Sequence, residues 1–161
     1  GRDHWVFYRY LARGKADRIE PDEPVVNARG ICGVVEKVGK HVSQVRLITS
    51  PECHLSARIM HWNPAAKRWV AHPEIGVTEG TGDGKTVRLL HVPVSVDVRP
   101  GDYVVTEASR TGMAEFLIVG EVIEASHRPT DLTHRIIVQP RVDLDRLDEV
   151  YVLTPRAGPS R

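Results

Sequence analysis

The chain has 161 residues, and its 22 lysines and arginines nearly balance 21 aspartates and glutamates, leaving a formal charge of +1. This balance argues against a nucleic-acid partner, because such proteins bind phosphate backbones through an excess of basic side chains. No stretch approaches the roughly 18 consecutive apolar residues of a membrane span, and the start lacks the pattern of a secretory signal, so the chain as given is predicted to be a soluble piece.

Valine outnumbers leucine by more than two to one, which favours strands over helices. The first half of the chain is predicted to form strands joined by turns. A proline-rich turn around Asp22 separates the first two strands, and Gly33 marks a bend or a close backbone approach within a later one. The predicted strands are Val6–Leu11, Val25–Val26, Ile31–Val38, Val42–Thr49 and Leu55–Trp62, followed by an irregular stretch, Trp69–Val77.

The second half continues in the same way. Asp83-Gly84 predicts a hairpin turn, since both residues tolerate positive φ. Asp143 can cap one short turn that is too brief to be a packed helix. The predicted strands are Val87–Val92, the valine pair Val104–Val105 after the Pro100 turn, Phe116–Ala125, His134–Val142 and Glu149–Thr154.

Two phrases in the chain are nearly the same. "IEPDEPVV", Ile19 to Val26, matches "VRPGDYVV", Val98 to Val105, at an offset of 79 positions. After a longer loop in the second copy, "GVVEKV" from Gly33 corresponds to "GEVIEA" from Gly120. Strand, loop, turn and strand therefore recur in one order, which indicates a duplicated architecture, although Pro-Gly-Asp turns before valine-rich strands are also common in unrelated β-proteins.

A period near 80 residues is too long for a solenoid unit. We therefore predict an all-β fold of two small tandem β-barrel subdomains packed together, with no substantial helix. Residues 1–72 are assigned to the first barrel and 73–154 to the second, while the last strand could return to the first barrel. Residues 155–161 are predicted to be a mobile tail.

The cysteines and histidines do not form a recognisable metal motif. Cys32 and Cys53 lack the spacing of a zinc or redox pair, and they are either two separate buried residues or a disulfide. Cys53, His54, His61 and His72 could be grouped as ligands, but no pair has a specific ligand spacing. We predict neither a metal nor a cofactor.

A two-barrel hydrolase of the chymotrypsin type is the alternative function, because in such enzymes the site lies between barrels. Ser95 and Ser109 lack a glycine-rich oxyanion turn, and His41 and Asp97 can be chosen as partners only arbitrarily. The glycine-rich "GTGDGKT" lies between predicted strands with no helix to complete a phosphate site. The sequence predicts no enzyme and no catalytic residue.

Five segments occur in a recognisable order: "PVVNARGICGVVEKVG" (24–39), "RLITSPE" (46–52), "HVPVSVDVRPGDYVVTE" (91–107), "VGEV" (119–122) and "PRVDLDRLDEVYVL" (140–153). Taken together, they resemble the periplasmic domain of the rod shape-determining protein MreC family. The opening "RDHWVFYRY" also resembles the entry strand of that family, so the likeness covers nearly the whole chain. Two stretches diverge from the family pattern, "ECHLSARIMHWNPAAKRW" and "TGMAEFLIVG".

The resemblance implies a non-enzymatic scaffold of the cell-elongation machinery that works through protein contacts. It implies a position on the periplasmic face of the cytoplasmic membrane, with an N-terminal anchor and a coiled coil outside this sequence. The implied partners are MreD, a RodA-type glycosyltransferase, a class B penicillin-binding protein and further copies of the protein itself.

A scaffold needs an apolar contact surface, for which aromatic and methionine side chains are the usual anchors. The divergent stretches contain Met60, Trp62, Trp69 and Phe116. We predict these four as partner-binding residues, with burial in the core as the alternative for each.

Overall fold

Twelve strands make up most of the regular structure in this computed structural model, which describes residues 6–108, 114 and 116–154. A 3₁₀ turn at Lys15–Asp17 is the helical element that accompanies them. The prediction of an all-β fold is confirmed. No helix in the described ranges is long and apolar enough to cross a membrane. The strands are β1 (Tyr8–Leu11), β2 (Pro24–Asn27), β3 (Gly30–Val38), β4 (Ser43–Leu47), β5 (Ser56–Asn63), β6 (Arg68–Ala71), β7 (Gly76–Gly80), β8 (Val87–Leu90), β9 (Tyr103–Thr106), β10 (Ile118–Ser126), β11 (Arg135–Pro140) and β12 (Tyr151–Val152).

Strands β5 to β11 form a seven-stranded sheet in the order β6-β5-β7-β8-β11-β10-β9. Because β9 also pairs with β5, six of these strands close into a barrel, and β6 extends from β5 outside the ring. Closure pairs the strand edges that an open sheet would leave exposed. The barrel is therefore the more fully hydrogen-bonded of the two units.

The other unit is a five-stranded sheet in the order β1-β4-β3-β2-β12. The last strand thus pairs with β2, far from its neighbours in sequence. The chain changes sheet between β4, which ends at Leu47, and β5, which begins at Ser56. The predicted division at residues 72/73 differs from this position, because the hydrogen bonds of β5 and β6 lie within the barrel. The predicted tail at 155–161 lies outside the described residues.

The repeated phrases correspond to a repeated set of strand pairings. The order β1-β4-β3-β2 in one unit matches β8-β11-β10-β9 in the other, and every pair is antiparallel. Gly33 and Gly120 occupy equivalent positions, and each lies hard against the backbone of the next strand. A β-carbon would collide with the carbonyl oxygen of Arg46 at the first and of Gln139 at the second. The predicted close approach at Gly33 is confirmed.

The proline turns are also built alike. Asp22 N–H donates to the Val35 carbonyl at 2.8 Å, and Gly101 N–H donates to the Val122 carbonyl at 2.9 Å. Both turn residues have positive φ, +68° for Asp22 and +98° for Gly101. Only glycine takes such a conformation freely, while aspartate tolerates it at some cost.

A buried carboxylate closes each of these turns. Glu23 Oε1 accepts the Glu20 N–H at 2.6 Å, and Asp102 Oδ2 accepts the Arg99 N–H at 2.9 Å. Burial raises the pKa of Asp102, and the hydrogen bond from Arg99 opposes that rise. In each phrase, the acidic side chain therefore accepts a hydrogen bond from the backbone N–H three residues earlier. The two copies thus share a side-chain hydrogen bond as well as an order of strands.

Replacing Gly101 with alanine should lower the free energy of unfolding by about 1 kcal/mol, because an L-residue is strained at this φ. A β-carbon here would meet no atom within 4 Å, so the loss reports backbone strain alone. Urea unfolding measures it, with Asp22→Gly as the control that relieves strain at the equivalent position. A loss with Asp22→Gly at least as large as with Gly101→Ala would contradict this account.

One cluster of buried apolar side chains runs through both units. It includes Ile31 and Val35 from the five-stranded sheet and Ile59, Val104 and Ile136 from the barrel, all at most 2 % exposed. The two sheets therefore share a core, and the outward face of the barrel is left for other contacts.

Candidate protein-binding surface

Strand β5 divides its side chains between the two faces of the barrel wall. Ala57 and Ile59 point inward and are buried, whereas Met60 is half-buried and Trp62 is exposed. Successive side chains of a strand point to opposite faces, so Met60 and Trp62 share the outward one. The short strand β6 adds to this outward face.

Trp62 and Trp69 lie opposite each other where β5 pairs with β6. Their ring centroids are 5.8 Å apart with an interplanar angle of 66°, an edge-to-face contact. Trp69 makes a second edge-to-face contact with Tyr103 of β9, at 5.2 Å and 87°. Aromatic pairs in this geometry favour each other beyond their burial alone. The three rings form a connected row across β6, β5 and β9.

A hollow of about 330 Å³ lies beside this row on the outward face. We call it the aromatic hollow. Val105 forms part of its wall and is only 2 % exposed, although it lies outside the shared core cluster. The Arg141 guanidinium carbon lies 6.0 Å from the Tyr103 ring centroid, within the range of a cation–π contact. The residues that line the hollow are Met60, Trp69, Tyr103, Val105, Phe116, Ile118 and Arg141.

Phe116 reaches the hollow from a strained backbone. Its φ is +62°, an outlier for a bulky residue. Thr106 holds the segment on both sides of it: its carbonyl accepts the Phe116 N–H at 2.8 Å, and its hydroxyl accepts the Leu117 N–H at 3.0 Å and donates to the Ala114 carbonyl at 2.6 Å. These bonds hold the backbone on both sides of Phe116, whose side chain is 50 % exposed.

An ion pair lies on the same face of the barrel. Arg58 is opposite Val105 in the β5–β9 register, and its Nε lies 2.6 Å from Glu107 Oε2. A second contact runs from Arg58 Nη2 to Glu107 Oε1 at 3.0 Å. Both side chains are about four-fifths buried, and the two parallel contacts fix their orientation. The ion pair therefore forms a polar border of fixed orientation beside the apolar hollow.

The four residues predicted to bind a partner all reach the surface, and none is buried in the core. Met60, Trp69 and Phe116 line the aromatic hollow, and Trp62 contacts it through Trp69. Their role in partner binding remains a prediction. Sequence reasoning missed Tyr103, which lies in the proline turn phrase, although its alternation with buried Val104 is a signal that it faces outward.

The groupings considered for catalysis are not assembled. Within the part of the chain that the structure describes, no serine hydrogen-bonds a histidine, and no three His, Cys, Asp or Glu side chains could together hold a metal ion. Ser109 lies outside the described residues. Cys32 and Cys53 are both free thiols, and burial raises the pKa of each to about 12.

A closed barrel sharing its core with a second sheet, and carrying exposed aromatic rings on its outward face, defines an all-β barrel protein. The chain belongs to the MreC family: the family model described as "Rod shape-determining protein MreC, barrel core" matches residues 1–154. This family is cell shape-determining, as the name of a curated relative also states.

Three known proteins illustrate the relationship. The cell shape-determining protein MreC of Haemophilus influenzae is 26% identical over 145 residues, which cover 90% of this chain and 38% of the relative. The crystal structure of MreC from Pseudomonas aeruginosa has a TM-score of 0.79 at 19% identity, covering 93% of this chain and 91% of that one. MreC from Helicobacter pylori, solved in complex with penicillin-binding protein PBP2, has a TM-score of 0.58 at 17% identity, covering 82% and 78%. The chain therefore spans about two fifths of the length of its curated relative.

Proposed function

We propose that this chain is the barrel core of a non-enzymatic scaffold of the cell-elongation machinery, which organises peptidoglycan synthesis through protein contacts. Its place is the periplasmic face of the cytoplasmic membrane, with the anchor in a part of the protein outside this sequence. Membership of a cell shape-determining family supports this proposal. The proposed partners are a class B penicillin-binding protein, MreD, a RodA-type glycosyltransferase and further copies of the scaffold.

The aromatic hollow is the observation that carries the proposal. Protein interfaces are enriched in Tyr, Trp, Phe, Met and Arg, and a few such anchors carry most of the binding energy. Five of the seven lining residues belong to these types. Large apolar side chains usually lie in the core, so their grouping on the outside of a closed barrel requires another explanation. A partner that covers them supplies one.

We assign the aromatic hollow to the class B penicillin-binding protein. The Helicobacter pylori relative was solved in complex with penicillin-binding protein PBP2, which makes a penicillin-binding protein the first partner to test. The hollow suits one or two apolar side chains of the partner, because its floor is apolar and Arg141 is the charged group in its lining. The strain at Phe116 supports the same assignment, since strained residues concentrate at functional positions.

Trp69→Ala should weaken binding of the full-length scaffold to the class B penicillin-binding protein of the same cell by about tenfold or more, as expected for a central aromatic anchor. Trp69 touches both Trp62 and Tyr103, so its removal breaks the row of rings. Biolayer interferometry with both proteins in detergent measures the dissociation constant. The melting temperature should change little, because Trp69 is 42 % exposed.

Leu132→Ala is the matched control, since Leu132 is 85 % exposed and lies outside the aromatic hollow. It should bind like the unaltered protein. If Trp69→Ala binds equally well, the hollow is not the site for this partner. If the unaltered protein fails to recover any cell-wall synthesis protein in cross-linking from membranes, the scaffold function itself is contradicted.

A further inference from the structure

The end of the described chain crosses from the barrel back to the five-stranded sheet. We call residues 143–153 the strap. Leu144 is buried, and three further apolar residues of the strap, Leu147, Val150 and Val152, pack against the shared core. Arg9 of β1 donates from Nη2 to the Leu144 carbonyl at 3.1 Å. The strap ends as β12, a strand of only two residues on the edge of β2.

Comparison of the two units shows that the strap pairs with only a short part of the edge of β2. In the barrel, β9 is the counterpart of β2, and its outer edge pairs with four residues of β5. In the five-stranded sheet, the same edge of β2 pairs with two residues, Tyr151 and Val152, and accepts one further hydrogen bond from the strap. The strap therefore supplies half the pairing found at the equivalent edge of the same chain.

The strap also fails to fill the space beneath it. A partly open cavity of about 460 Å³ lies between it and the sheet. Its apolar walls come from Leu11, Val25, Cys32 and Val45 of the sheet and from Leu147 and Val150 of the strap, and its polar rim comes from Arg9, Tyr10, Asp145, Arg146 and Asp148. Weak pairing above a partly open cavity characterises a segment that opens locally while the rest stays folded.

We propose that the strap is releasable, and that the edge of β2 and the cavity beneath it form an acceptor site for an extended polypeptide segment with apolar side chains at alternate positions. The strap is itself a segment of this kind bound at this edge. Its Leu153 N–H donates to the Pro24 carbonyl at 2.9 Å, and Val152 lies opposite the buried Val25. An incoming strand that extends the pairing and fills the cavity replaces the strap by strand addition. This site is on the five-stranded sheet and is separate from the aromatic hollow.

The two cysteines report on release of the strap. Cys32 lines the cavity, Cys53 does not, and both are fully buried with the pKa raised to about 12. In native buffer, iodoacetamide should modify Cys32 about tenfold faster than Cys53, because local opening precedes global unfolding. Peptide mass spectrometry of one sample gives both rates. Equal modification rates at Cys32 and Cys53, both limited by global unfolding, would show that the strap is not released locally.

Tyr151→Pro tests the strand pairing directly. Hydrogen-bonded pairs alternate along an antiparallel ladder, so the bond from Leu153 to Pro24 places the Tyr151 N–H toward Val26. Proline removes that donor, and the Tyr151 side chain is itself exposed. Cys32 modification should accelerate about tenfold further with Cys53 unchanged, as expected for a local loss of pairing. Tyr151→Ala keeps the N–H and should behave like the unaltered chain; an equal acceleration with alanine would contradict the role of the pairing.

A fluorescein-labelled peptide with the sequence of residues 143–153 tests the acceptor site. Fluorescence anisotropy should show saturable binding to the Tyr151→Pro chain and about tenfold weaker binding to the unaltered chain, where the strap competes. A control peptide carrying Val150→Asp and Val152→Asp should not bind, because its charges would replace two side chains that pack against the apolar core. Absence of saturable binding to the proline variant, or equal binding of the control peptide, would overturn the acceptor site. Neither readout depends on a penicillin-binding protein, so this proposal can fail while the proposed function stands.

Discussion

Replacing Gly120 with alanine is expected to lower the free energy of unfolding by about 3 kcal/mol, at the upper end of the cost of overpacking. Gly120 pairs with Val104 on one side and with Pro140 on the other, so it lies between two strands of the closed barrel. Its β-carbon would collide with the Gln139 carbonyl, which is backbone and cannot move aside like a side chain. Urea unfolding followed by circular dichroism measures the loss.

Gly33→Ala provides an internal repeat of the experiment. Gly33 pairs with Val25 and Leu47 and faces the Arg46 carbonyl in the same way, so a loss of similar size is expected. Gly101→Ala is the milder comparison, because no atom lies near its β-carbon position. If Gly120→Ala costs no more than Gly101→Ala, close approach of the backbone is not the reason for glycine at this position.

Ile59→Ala is expected to lower the free energy of unfolding by about 3 kcal/mol, the middle of the range for removing a buried isoleucine side chain. Ile59 is 2 % exposed and belongs to the core cluster shared by both units. The cost combines lost burial with the cavity that alanine leaves. Denaturant unfolding measures it, and the folded fraction should still bind the penicillin-binding protein with unchanged affinity, since Ile59 faces inward.

Met60→Ala is the control from the adjacent position in the same strand. Met60 faces outward into the aromatic hollow. Met60→Ala should therefore raise the dissociation constant for the penicillin-binding protein, while it lowers the free energy of unfolding less than Ile59→Ala does. The pair thus separates the two faces of β5. If Ile59→Ala weakens binding as much as Met60→Ala does, the aromatic hollow depends on core packing more than its geometry indicates.

The strands of the duplicated unit could be predicted because their signals are local. Turn residues, runs of β-branched residues and the glycine between them recur in both copies, and the strand pairing recurs with them. The place where the chain changes sheet is not a local property. Strand β5 forms bonds with β6, β7 and β9, and no pattern within Ser56–Asn63 specifies those partners. The predicted division after residue 72 differed from the observed change of sheet for this reason.

The aromatic hollow could be predicted in part. Trp62 and Trp69 are prominent in a sequence with few aromatic residues, and an apolar contact surface is expected to include them. Arg141 could not be predicted as a neighbour of Tyr103, because 38 residues separate them and the pairing of β10 with both β9 and β11 brings them together. The positive φ of Phe116 likewise depends on hydrogen bonds to Thr106 and has no signature in the residue type.

The division of β5 into an inward and an outward face has an evolutionary consequence. Ala57 and Ile59 serve folding, whereas Met60 and Trp62, one and three positions after Ile59, face the proposed partner. Under the proposed function, substitutions at the outward positions would alter what the protein binds without first destabilising the barrel. A lineage would then follow changes in its partners while inheriting an intact fold.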